Sequence, residues 1–258
     1  MTGSIPPRAE GFYDPRTYGW EIGTSDSRSQ RRRFYPGQTV HPGARVLELG
    51  CGTGEISLAL ARRGANVVGL DSSPDMIAAA CAKARQQGCS GVSWVRAYME
   101  AFAFRTHFTA VIVPYHALFH VLSHAELDAL LTRVHAHLEP GGVFLADVFT
   151  RAPGSPSQRR TAAVTPNPDG TYHVHEDERF DPATGRLRSR FTYRLEDAGS
   201  GRTLDIWTRR LDYLVTAPDV LAARLRGAGF RDVTAFEAFD TSAPVAPGRD
   251  AVLRGRAS

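Results

Sequence analysis

The feature that most constrains the fold is a short apolar strand running directly into closely spaced glycines. Residues 46–54 read VLELGCGTG, and apolar residues then recur at helical spacing over residues 56–61. Glycine is needed where a Cβ atom would block a ligand lying against the backbone, or where φ is positive. A strand, a glycine turn and a helix in this order predict a nucleotide-type site at the carboxyl end of the strand.

An aspartate at the end of the next predicted strand strengthens this interpretation. Asp71 follows residues 66–70, and a carboxylate there can accept hydrogen bonds from both hydroxyls of a ribose. A dinucleotide fingerprint would need Gly or Ala where the chain has Glu55 or Ser57. Glu55 at the helix N-terminus would also repel a pyrophosphate. The sequence therefore predicts a ligand that carries adenosine without a diphosphate.

The segments up to residue 150 alternate between strands and helices. The pattern predicts strands at residues 92–95, 108–113 and 143–149 and helices at 75–87 and 125–138, the latter stopped by the turn at 139–142. Ser73 is the expected N-cap and Pro74 the first residue of the helix that it opens. Such alternation favours a parallel sheet with helices on both faces.

The pattern changes after residue 150. Residues 151–169 are rich in Pro, Ser and Arg and are predicted to form an exposed loop. Residues 172–180, 187–195 and 203–215 alternate with a period of two, which predicts an antiparallel meander. Its aromatic residues could roof a substrate pocket; they are Tyr172, Phe180, Phe191, Tyr193, Trp207 and Tyr213. A final helix at 219–226 and strands at 230–239 and 250–254 complete the expected elements.

Composition excludes several classes of protein. No apolar run approaches the roughly 18 residues that a membrane span needs, and residues 1–10 lack the apolar stretch of a signal peptide. Three cysteines cannot form a disulfide framework, so a cytoplasmic protein is expected. The formal charge of +4 does not indicate a nucleic-acid partner. The densest basic run, residues 31–33, is interpreted as a solvated helix face rather than an anion site.

Three stretches of this sequence together resemble a known family. Residues 46–54 resemble motif I of class I S-adenosylmethionine-dependent methyltransferases, and residues 69–76 (GLDSSPDM) resemble their second motif. Residues 137–143 (HLEPGGV) resemble the stretch that leads into their fifth strand. The resemblance covers about residues 44–150. The predicted meander is loosely similar to that of small-molecule enzymes, such as glycine N-methyltransferase and the amino-sugar N-methyltransferases of antibiotic pathways.

The resemblance implies an α/β fold with a Rossmann-like class I methyltransferase core, whose seven-stranded sheet is mostly parallel. It further implies an N-terminal lid with one or two short helices (1–44), an S-adenosylmethionine-binding core (45–150), an inserted loop and antiparallel sheet as substrate cap (151–216), and the rest of the core (217–258). The implied function is methylation of O, N or C of a small molecule, with natural-product biosynthesis as the expected setting. A monomer or homodimer without nucleic-acid or membrane partners is expected.

The resemblance also assigns cofactor contacts to residues of this chain. The implied set is Tyr13, Glu48, Gly50, Cys51, Gly52, Gly54, Asp71, Ser72, Met76, Tyr98, Met99 and Pro114. The three glycines would pass under the methionine and ribose, Glu48 would orient the loop, and Asp71 would hold the ribose. Ser72 and Met76 would lie near the adenine. Pro114 would face the sulfonium, and Tyr13 would cover the methionine.

Tyr98 departs from the family pattern. Many relatives carry an aspartate at this position, which accepts a hydrogen bond from the adenine amino group. A tyrosine can stack on the adenine or bond to it through its hydroxyl. It can also mark weakened or lost use of the cofactor, so this position leaves two interpretations open.

Residues for chemistry are expected directly after the fourth strand. His116 and His120 are four apart and would share a face if the segment is helical. Histidine suits a general base near neutral pH, and Asp147 is a second candidate. The alternative for both histidines is a hydrogen-bonded structural role. No carboxylate or third histidine lies near the pair in sequence, so no metal site is predicted.

Three other functions remain open at this point. The first is an RNA or protein methyltransferase, although the tetrapeptide of nucleic-acid amino-methyltransferases is matched here only by residues 113–115. The second is a methyltransferase-fold enzyme with non-methylating chemistry such as cyclisation, which the tyrosine at position 98 keeps open. The third is a non-catalytic protein that binds a ligand.

Overall fold

The computed structural model describes Pro15, Tyr18 and residues 25–151, 159–167 (backbone alone), 170–246 and 248–258. The chain divides into two compact units. The core unit comprises residues 14–153 and 214–258, and the insertion lies within residues 154–213.

The core unit alternates strands and helices along most of its length. Its helices are α1 (Ser25–Thr39), α2 (Glu55–Ala61), α3 (Pro74–Gln86), α4 (His124–His137) and α5 (Pro218–Gly227), with a 3₁₀ helix at Ala117–His120. Its strands are β1 (Arg45–Leu49), β2 (Asn66–Asp71), β3 (Val92–Arg96), β4 (Phe108–Val113), β5 (Leu138–Val148), β10 (Arg231–Glu237) and β11 (Ala251–Arg256). Within the described parts of the chain, no helix combines the length and apolarity that crossing a membrane needs.

All seven strands form one sheet in the order β10-β11-β5-β4-β1-β2-β3. The pairs β1–β2, β1–β4, β2–β3 and β4–β5 are parallel. Strand β11 is antiparallel to β5 and to β10. The predicted fold class, an α/β core with a mostly parallel sheet, is confirmed. Because β11 runs backwards, its amino end lies at the same edge as the carboxyl ends of β4 and β5.

The central strands are buried because helices cover them. Residues 46–49 of β1 are buried at every position, and so are residues 110–113 of β4. The core beside α1 and α2 contains Phe34, Tyr35, Ile56, Leu60, Ile112 and Leu145. Burying such a side chain stabilises the fold by about 1.5–3 kcal/mol. Ser73 caps α3 by accepting the Met76 N–H at 3.3 Å, as predicted from the sequence.

Two elements differ from the sequence-based expectation. Among the described residues, the segment before β1 contains the 15-residue helix α1, which is longer than the short helices expected. Helix α4 ends at His137, and β5 begins at Leu138, so residues 139–142 lie within a strand. Leu138 pairs with Phe108 before an irregularity in the register, and Gly141 has φ +78°. The Pro-Gly-Gly turn is therefore an irregular start of β5 rather than a separate loop.

The insertion is a four-stranded sheet. Its strands are β6 (Arg159–Asn167), β7 (Gly170–Asp181), β8 (Arg186–Glu196) and β9 (Thr203–Leu214), in that order. The predicted meander is confirmed in β7, β8 and β9, and the pairs β6–β7 and β7–β8 are antiparallel. The prediction of a loop was wrong for β6. Pro166 favoured the loop prediction, because proline is excluded from central strands. It is tolerated in an edge strand such as β6.

Aromatic side chains pack against one another on the insertion sheet. Tyr172 and Tyr193 are buried, and the Trp207 ring stacks on Tyr193 at 5.2 Å with an interplanar angle of 9°. Tyr172 meets Trp207 edge-on at 5.9 Å. These contacts account for the alternation seen in the sequence; contact of this face with a substrate stays a prediction.

Candidate active site

The glycine loop after β1 is pressed against an aromatic ring. Gly52 has φ +53°, and a Cβ atom added to it would lie 2.6 Å from the ring of Tyr18. That distance is shorter than real atoms allow, so both conformation and space demand glycine here. Tyr18 was not singled out by the sequence, and its contact with the loop is one of the site features that the sequence did not reveal.

The same loop also contacts the segments that follow β3 and β4. A Cβ atom on Gly50 would meet the Ala117 side chain at 2.9 Å and the Met99 methyl group at 3.5 Å. Met99 and the segment after β4 therefore lie beside the loop, as the resemblance implied. Gly54 serves a different purpose, because a Cβ atom there would collide with the Trp94 ring. This third glycine lets the Trp94 ring pack closely against the backbone.

Asp71, at the end of β2, is fixed by two backbone donors. Its Oδ2 accepts the Gly52 N–H at 2.8 Å, and its Oδ1 accepts the Ser73 N–H at 2.9 Å. Burial raises the pKa of Asp71, while these hydrogen bonds act in the opposite direction. Each carboxylate oxygen keeps a second lone pair. The pair of oxygens therefore suits the two neighbouring hydroxyls of a ribose.

Glu48, on β1, is buried with one hydroxyl partner. Its exposed fraction is 1%, and the Ser57 hydroxyl donates a hydrogen bond to it. Burial raises the pKa of Glu48 to about 8, although the bond from Ser57 favours the ionised form. The carboxyl group is therefore mostly protonated at neutral pH. The role of Glu48 in orienting the loop stays a prediction.

The N-terminus of α2 is surrounded by charges of the chain itself. Glu55 pairs with Arg28 at 3.0 Å and with Arg32 at 3.2 Å, and both arginines belong to α1. The Lys83 ammonium of α3 donates to the Thr53 hydroxyl at 2.9 Å, and burial lowers the pKa of Lys83. A carboxylate of the protein already stands at this helix end, in keeping with a ligand that has no diphosphate.

Asp147, on β5, is the centre of a second buried cluster. Its Oδ2 accepts from the Arg31 Nε at 3.1 Å and from Nη2 at 2.8 Å, while its Oδ1 accepts the Tyr35 hydroxyl at 2.5 Å and the Tyr115 N–H at 3.0 Å. Burial alone would raise the pKa of Asp147, but Arg31 and the other donors outweigh it and hold the pKa below its usual value. Because its acceptor positions are filled, the geometry favours an anchoring role over the predicted base.

Arg31 corrects the interpretation of the triple arginine. Its side chain is only 3% exposed, whereas Arg32 and Arg33 are exposed. Its guanidinium lies 4.8 Å from the centre of the Tyr115 ring and 4.9 Å from that of Phe239. Burial would lower the pKa of Arg31, but the ion pair with Asp147 raises it. The solvated face predicted for this residue was therefore wrong.

His116 lies on a strained turn directly after β4. His116 and Tyr115 have φ of +60° and +56°, values that cost on the order of 1–3 kcal/mol per residue outside glycine. The imidazole Nε2 is 3.1 Å from the Arg31 Nη2 and 3.3 Å from the Asp147 Oδ2, and 3.5 Å from the Asp250 Oδ2. Among the described residues, every polar contact of the ring uses Nε2. The Nδ1 atom is thus the nitrogen left for a ligand.

Comparison with known proteins identifies the part of the core unit that contains the glycine loop, Asp71 and His116. Residues 46–142 match the family model described as a methyltransferase domain. These residues form a class I methyltransferase domain. An uncharacterised methyltransferase of Synechocystis is 34% identical over 105 residues, which are 41% of this chain and 47% of that relative. The chain therefore spans about half the length of this curated relative.

Two solved methyltransferase structures are similar in fold to most of the chain. The CcbJ methyltransferase from Streptomyces caelestis has a TM-score of 0.79 at 22% identity, covering 95% of this chain and 100% of its own. The S-adenosylmethionine-bound amino pentose methyltransferase CalS10 from Micromonospora echinaspora has a TM-score of 0.70 at 20% identity, covering 97% and 99%. At such identities the likeness shows the fold. The cofactor of the methyltransferase domain is S-adenosylmethionine.

The residues around the glycine loop fit this cofactor. The close approach possible at Gly52 would form a backbone cradle, and the two oxygens of Asp71 would be able to accept hydrogen bonds from a ribose. The Tyr115 hydroxyl is buried without a hydrogen-bond partner among the described residues, and burial raises the pKa of Tyr115. Tyr115 lies on the turn after β4, and an orphaned buried hydroxyl is a polar atom that a ligand can satisfy.

The other residues assigned to the cofactor lie at the same edge of the sheet or outside the described residues. Met76 is buried in the first turn of α3, and Ser72 is half-buried just before it. Tyr98 follows β3, where the Ala97 N–H donates to the Asp71 carbonyl at 3.0 Å. Further members of the set are Cys51 and Pro114, which are both buried. Tyr13 falls outside the described residues.

The two candidate histidines, His116 and His120, do not share a helical face. His120 ends the 3₁₀ helix, while His116 precedes that helix in a left-handed conformation. The predicted pairing was conditional on a helical segment, and the turn at Tyr115 and His116 breaks it. The structure therefore brings His116 to the Asp147 cluster by a turn, and the i, i+4 spacing has no part in it.

Two members of the His116 cluster were missed by sequence reasoning. Arg31 lies three and four residues before the buried Phe34 and Tyr35, so its place on the buried face of α1 was a usable signal. Asp250 directly precedes β11, and no motif marks it. In the described ranges, the structure contains no group of three or more His, Cys, Asp or Glu side chains placed to hold a metal ion.

Proposed function

We propose that this methyltransferase transfers a methyl group to O, N or C of a small molecule, and that His116 contacts the acceptor. The observation that carries the proposal is the position of the His116 ring. His116 lies on the turn that follows the carboxyl end of β4. The next residue, Ala117, lies close to Gly50 of the glycine loop. Its Nε2 is engaged by the cluster, and its Nδ1 has no described partner.

Methyl transfer needs correct positioning of the two reactants and one group that accepts a proton. When bound, S-adenosylmethionine supplies a methyl group that is already activated by its positive sulfur. The acceptor atom would bond to that methyl carbon, and the broken carbon–sulfur bond would leave its electron pair on the sulfur of S-adenosylhomocysteine. The acceptor atom loses its proton, and we assign that proton to Nδ1 of His116. Asp147, held ionised by Arg31, anchors the turn and takes no proton.

A small-molecule acceptor is supported by similarity and by charge. CalS10 is described as an amino pentose methyltransferase of calicheamicin biosynthesis, and its structure matches nearly the full chain, insertion included. A formal charge of +4 is small for a protein that must bind a nucleic acid. We extend the proposal to natural-product biosynthesis as the setting in which such an acceptor occurs.

Calorimetric titration with S-adenosylmethionine and S-adenosylhomocysteine tests the cofactor half of the proposal. We expect micromolar binding of both, with the homocysteine product at least as tight. The absence of binding would mean that Tyr98 marks a lost cofactor site and would overturn methyl transfer. Salt-sensitive binding and methylation of bulk RNA would favour a nucleic-acid enzyme instead.

A screen of amino sugars, phenols and hydroxy acids for release of S-adenosylhomocysteine tests the acceptor half. With any acceptor that turns over, His116→Ala should lower kcat by about 10²–10⁴-fold, the usual contribution of a general base. His120→Ala is the matched control and should retain most of the activity. Equal activity of the wild type and His116→Ala would remove His116 from the reaction.

A further inference from the structure

The antiparallel strand β11 delivers a carboxylate to His116 from the far end of the chain. Asp250 precedes β11, whose first residue, Ala251, pairs with Val148 on β5. This register places the Asp250 Oδ2 3.5 Å from the His116 Nε2. The two side chains are 43% and 25% exposed, so Asp250 lies at the open side of the cluster.

The neighbours of Nε2 favour opposite tautomers of the ring. The Arg31 Nη2, at 3.1 Å, is a donor, and an N–H directed at Nε2 would leave the ring proton on Nδ1. The carboxylates of Asp147 and Asp250, at 3.3 and 3.5 Å, are acceptors and require a proton on Nε2. Only the second arrangement leaves Nδ1 free to take a proton from an acceptor.

The two carboxylates are not equally available. Asp147 already accepts four hydrogen bonds, two of them from Arg31, and these use its acceptor positions. Asp250 differs, since His116 is the one hydrogen-bonding or ion-pair partner of its side chain in the described part of the molecule. Asp250 is therefore the carboxylate with capacity for the proton of Nε2.

The segment that carries Asp250 is held in place by its own contacts. The Asp250 carbonyl accepts the Ala238 N–H at 2.8 Å, and the Thr150 hydroxyl donates to the Arg249 carbonyl at 2.7 Å. The Arg249 side chain pairs with Glu237 at 3.1 Å. The two hydrogen bonds to backbone carbonyls fix the backbone of Asp250 relative to β5 and β10 without using its carboxylate, whereas the largely exposed Arg249–Glu237 pair contributes little.

We propose that Asp250 is the positioning residue that selects the Nε2–H tautomer of His116, and that it stabilises the imidazolium formed when Nδ1 takes the acceptor proton. This inference rests on the proposed function of His116 and deepens it. The charged groups that face the ring are Arg31 from α1, Asp147 from β5 and Asp250 from the segment before β11.

Nitrogen-15 NMR of the imidazole in the ligand-free protein tests the tautomer directly. The His116 signals are assigned by their loss in His116→Gln. We expect the wild type and Asp250→Glu to carry the proton on Nε2, and Asp250→Ala to shift it toward Nδ1. Asp250→Asn, which keeps an oxygen acceptor, should retain the tautomer. An unchanged tautomer in Asp250→Ala would overturn the inference.

Kinetics supply the second readout. Asp250→Ala should lower kcat about tenfold with little change in KM, and Asp250→Glu should recover most of it. Glu237→Gln breaks the ion pair with Arg249 in the same segment and is the matched control, expected to match the wild type in both readouts. A control that reproduces the Asp250→Ala effects would assign them to loop displacement and overturn the inference.

The inference and the proposed function fail separately. A tautomer that changes in Asp250→Ala while His116→Ala turns over normally supports the control by Asp250 and removes His116 from the reaction. A His116→Ala variant without turnover, together with an unchanged tautomer in Asp250→Ala, supports the proposed function and overturns the role of Asp250.

Discussion

Two buried carboxyl groups differ in their favoured charge state. Glu48, near the glycine loop, favours its neutral form, whereas Asp147, beside His116, favours its ionised form. Glu48 and Asp147 are both almost completely buried. Burial raises the pKa of Glu48 to about 8, because a Ser57 hydroxyl is too weak a partner to offset it. The same burial at Asp147 is outweighed by the Arg31 guanidinium and by further donors, so its pKa falls. Burial does not decide the charge of a carboxylate; the partner does.

The difference gives the two regions different electrostatic character. At neutral pH the glycine-loop region holds a mostly neutral acid, because burial raises the pKa of Glu48 to about 8. The His116 region holds a fixed ion pair that does not respond to pH in the physiological range. The comparison therefore predicts opposite pH dependence of stability for changes in the two regions.

The largest effect is expected from Arg31→Met. The change leaves the ionised Asp147 buried without its cation, which should lower the free energy of unfolding at pH 7 by about 3–5 kcal/mol. Without Arg31 the folded pKa of Asp147 rises, so the deficit should shrink as the pH falls from 7 toward 5. Urea unfolding at several pH values measures it.

Two variants control that experiment. Arg33→Met, on the exposed side of the same helix, should change stability by no more than about 0.5 kcal/mol. The double variant Arg31→Met with Asp147→Asn removes both charges and should recover part of the loss. A deficit that is independent of pH would contradict the fixed ion pair. In the wild type, the stabilisation from Asp147 is present above about pH 4 and is lost below it.

The second largest effect is expected from Glu48→Gln, which should raise the free energy of unfolding rather than lower it. Between an unfolded pKa of about 4.3 and the folded pKa of about 8, the folded state binds more protons at Glu48 than the unfolded state. Its contribution to stability therefore falls as pH rises through this window. The uncharged glutamine should raise the free energy of unfolding at pH 8 by roughly 2–4 kcal/mol, and the gain should shrink as the pH falls and vanish below about pH 4.

Chemical unfolding across this pH range reads out the Glu48 effect. Glu126→Gln, on the surface of α4, is the neutralising control and should show no comparable gain. A Glu48→Gln variant that is less stable than the wild type at pH 8 would show that Glu48 is ionised in the fold, and the contrast with Asp147 would be lost.

A third carboxylate, Asp71, extends the comparison from stability to the binding of S-adenosylmethionine. It is held by two backbone donors and assigned to the ribose. Asp71→Ala should weaken S-adenosylmethionine binding by about 100-fold, the equivalent of one or two charge-assisted hydrogen bonds. Asp71→Asn keeps one acceptor oxygen and should lose about tenfold. Calorimetry that gives wild-type affinity for Asp71→Ala would exclude the ribose role.

The smallest effect is expected from Ser57→Ala. Losing the hydrogen bond to Glu48 should cost about 1 kcal/mol of stability. The cost should be greater at pH 9 than at pH 6, because the Ser57 hydroxyl favours the ionised carboxylate. Thermal unfolding at both pH values checks this, and in the Glu48→Gln background the pH dependence of the cost should disappear.

The sequence predicted the strand–glycine-loop–helix region and the position of Asp71 beside it well, because the signals for them are local. The glycine loop and Asp71 lie within one strand–helix–strand segment, and parallel pairing of β1 with β2 brings them together. Hydrophobic periodicity likewise predicted the strands of the sheet. The failure at β6 has a local cause too, since proline and arginine are typical of both loops and edge strands.

The His116 region was predicted only in part because its members meet through tertiary structure. Arg31 and Asp147 are 116 positions apart, and the sequence around neither residue indicates that the two are in contact. The turn that carries His116 has two left-handed residues that are not glycine, so the usual sequence marker of that conformation is missing. Asp250 depends on the reversed direction of a single strand.

The antiparallel strand β11 also determines when, during translation, the core sheet can be completed. Ribosomes extend chains at about 5–20 residues per second, and domains tend to fold from the N-terminus. A nascent chain that has emerged only as far as β5 already carries Arg31, Asp147 and His116, so it can form the ion pair.

Such a nascent chain still lacks Asp250 and the strand that seats it. The outer edge of β5 stays unpaired until β11 is made, which exposes a bare strand edge for the whole synthesis of the insertion. Premature release of the polypeptide would thus yield a core with an intact glycine loop and an incomplete His116 cluster, at risk of pairing with another chain.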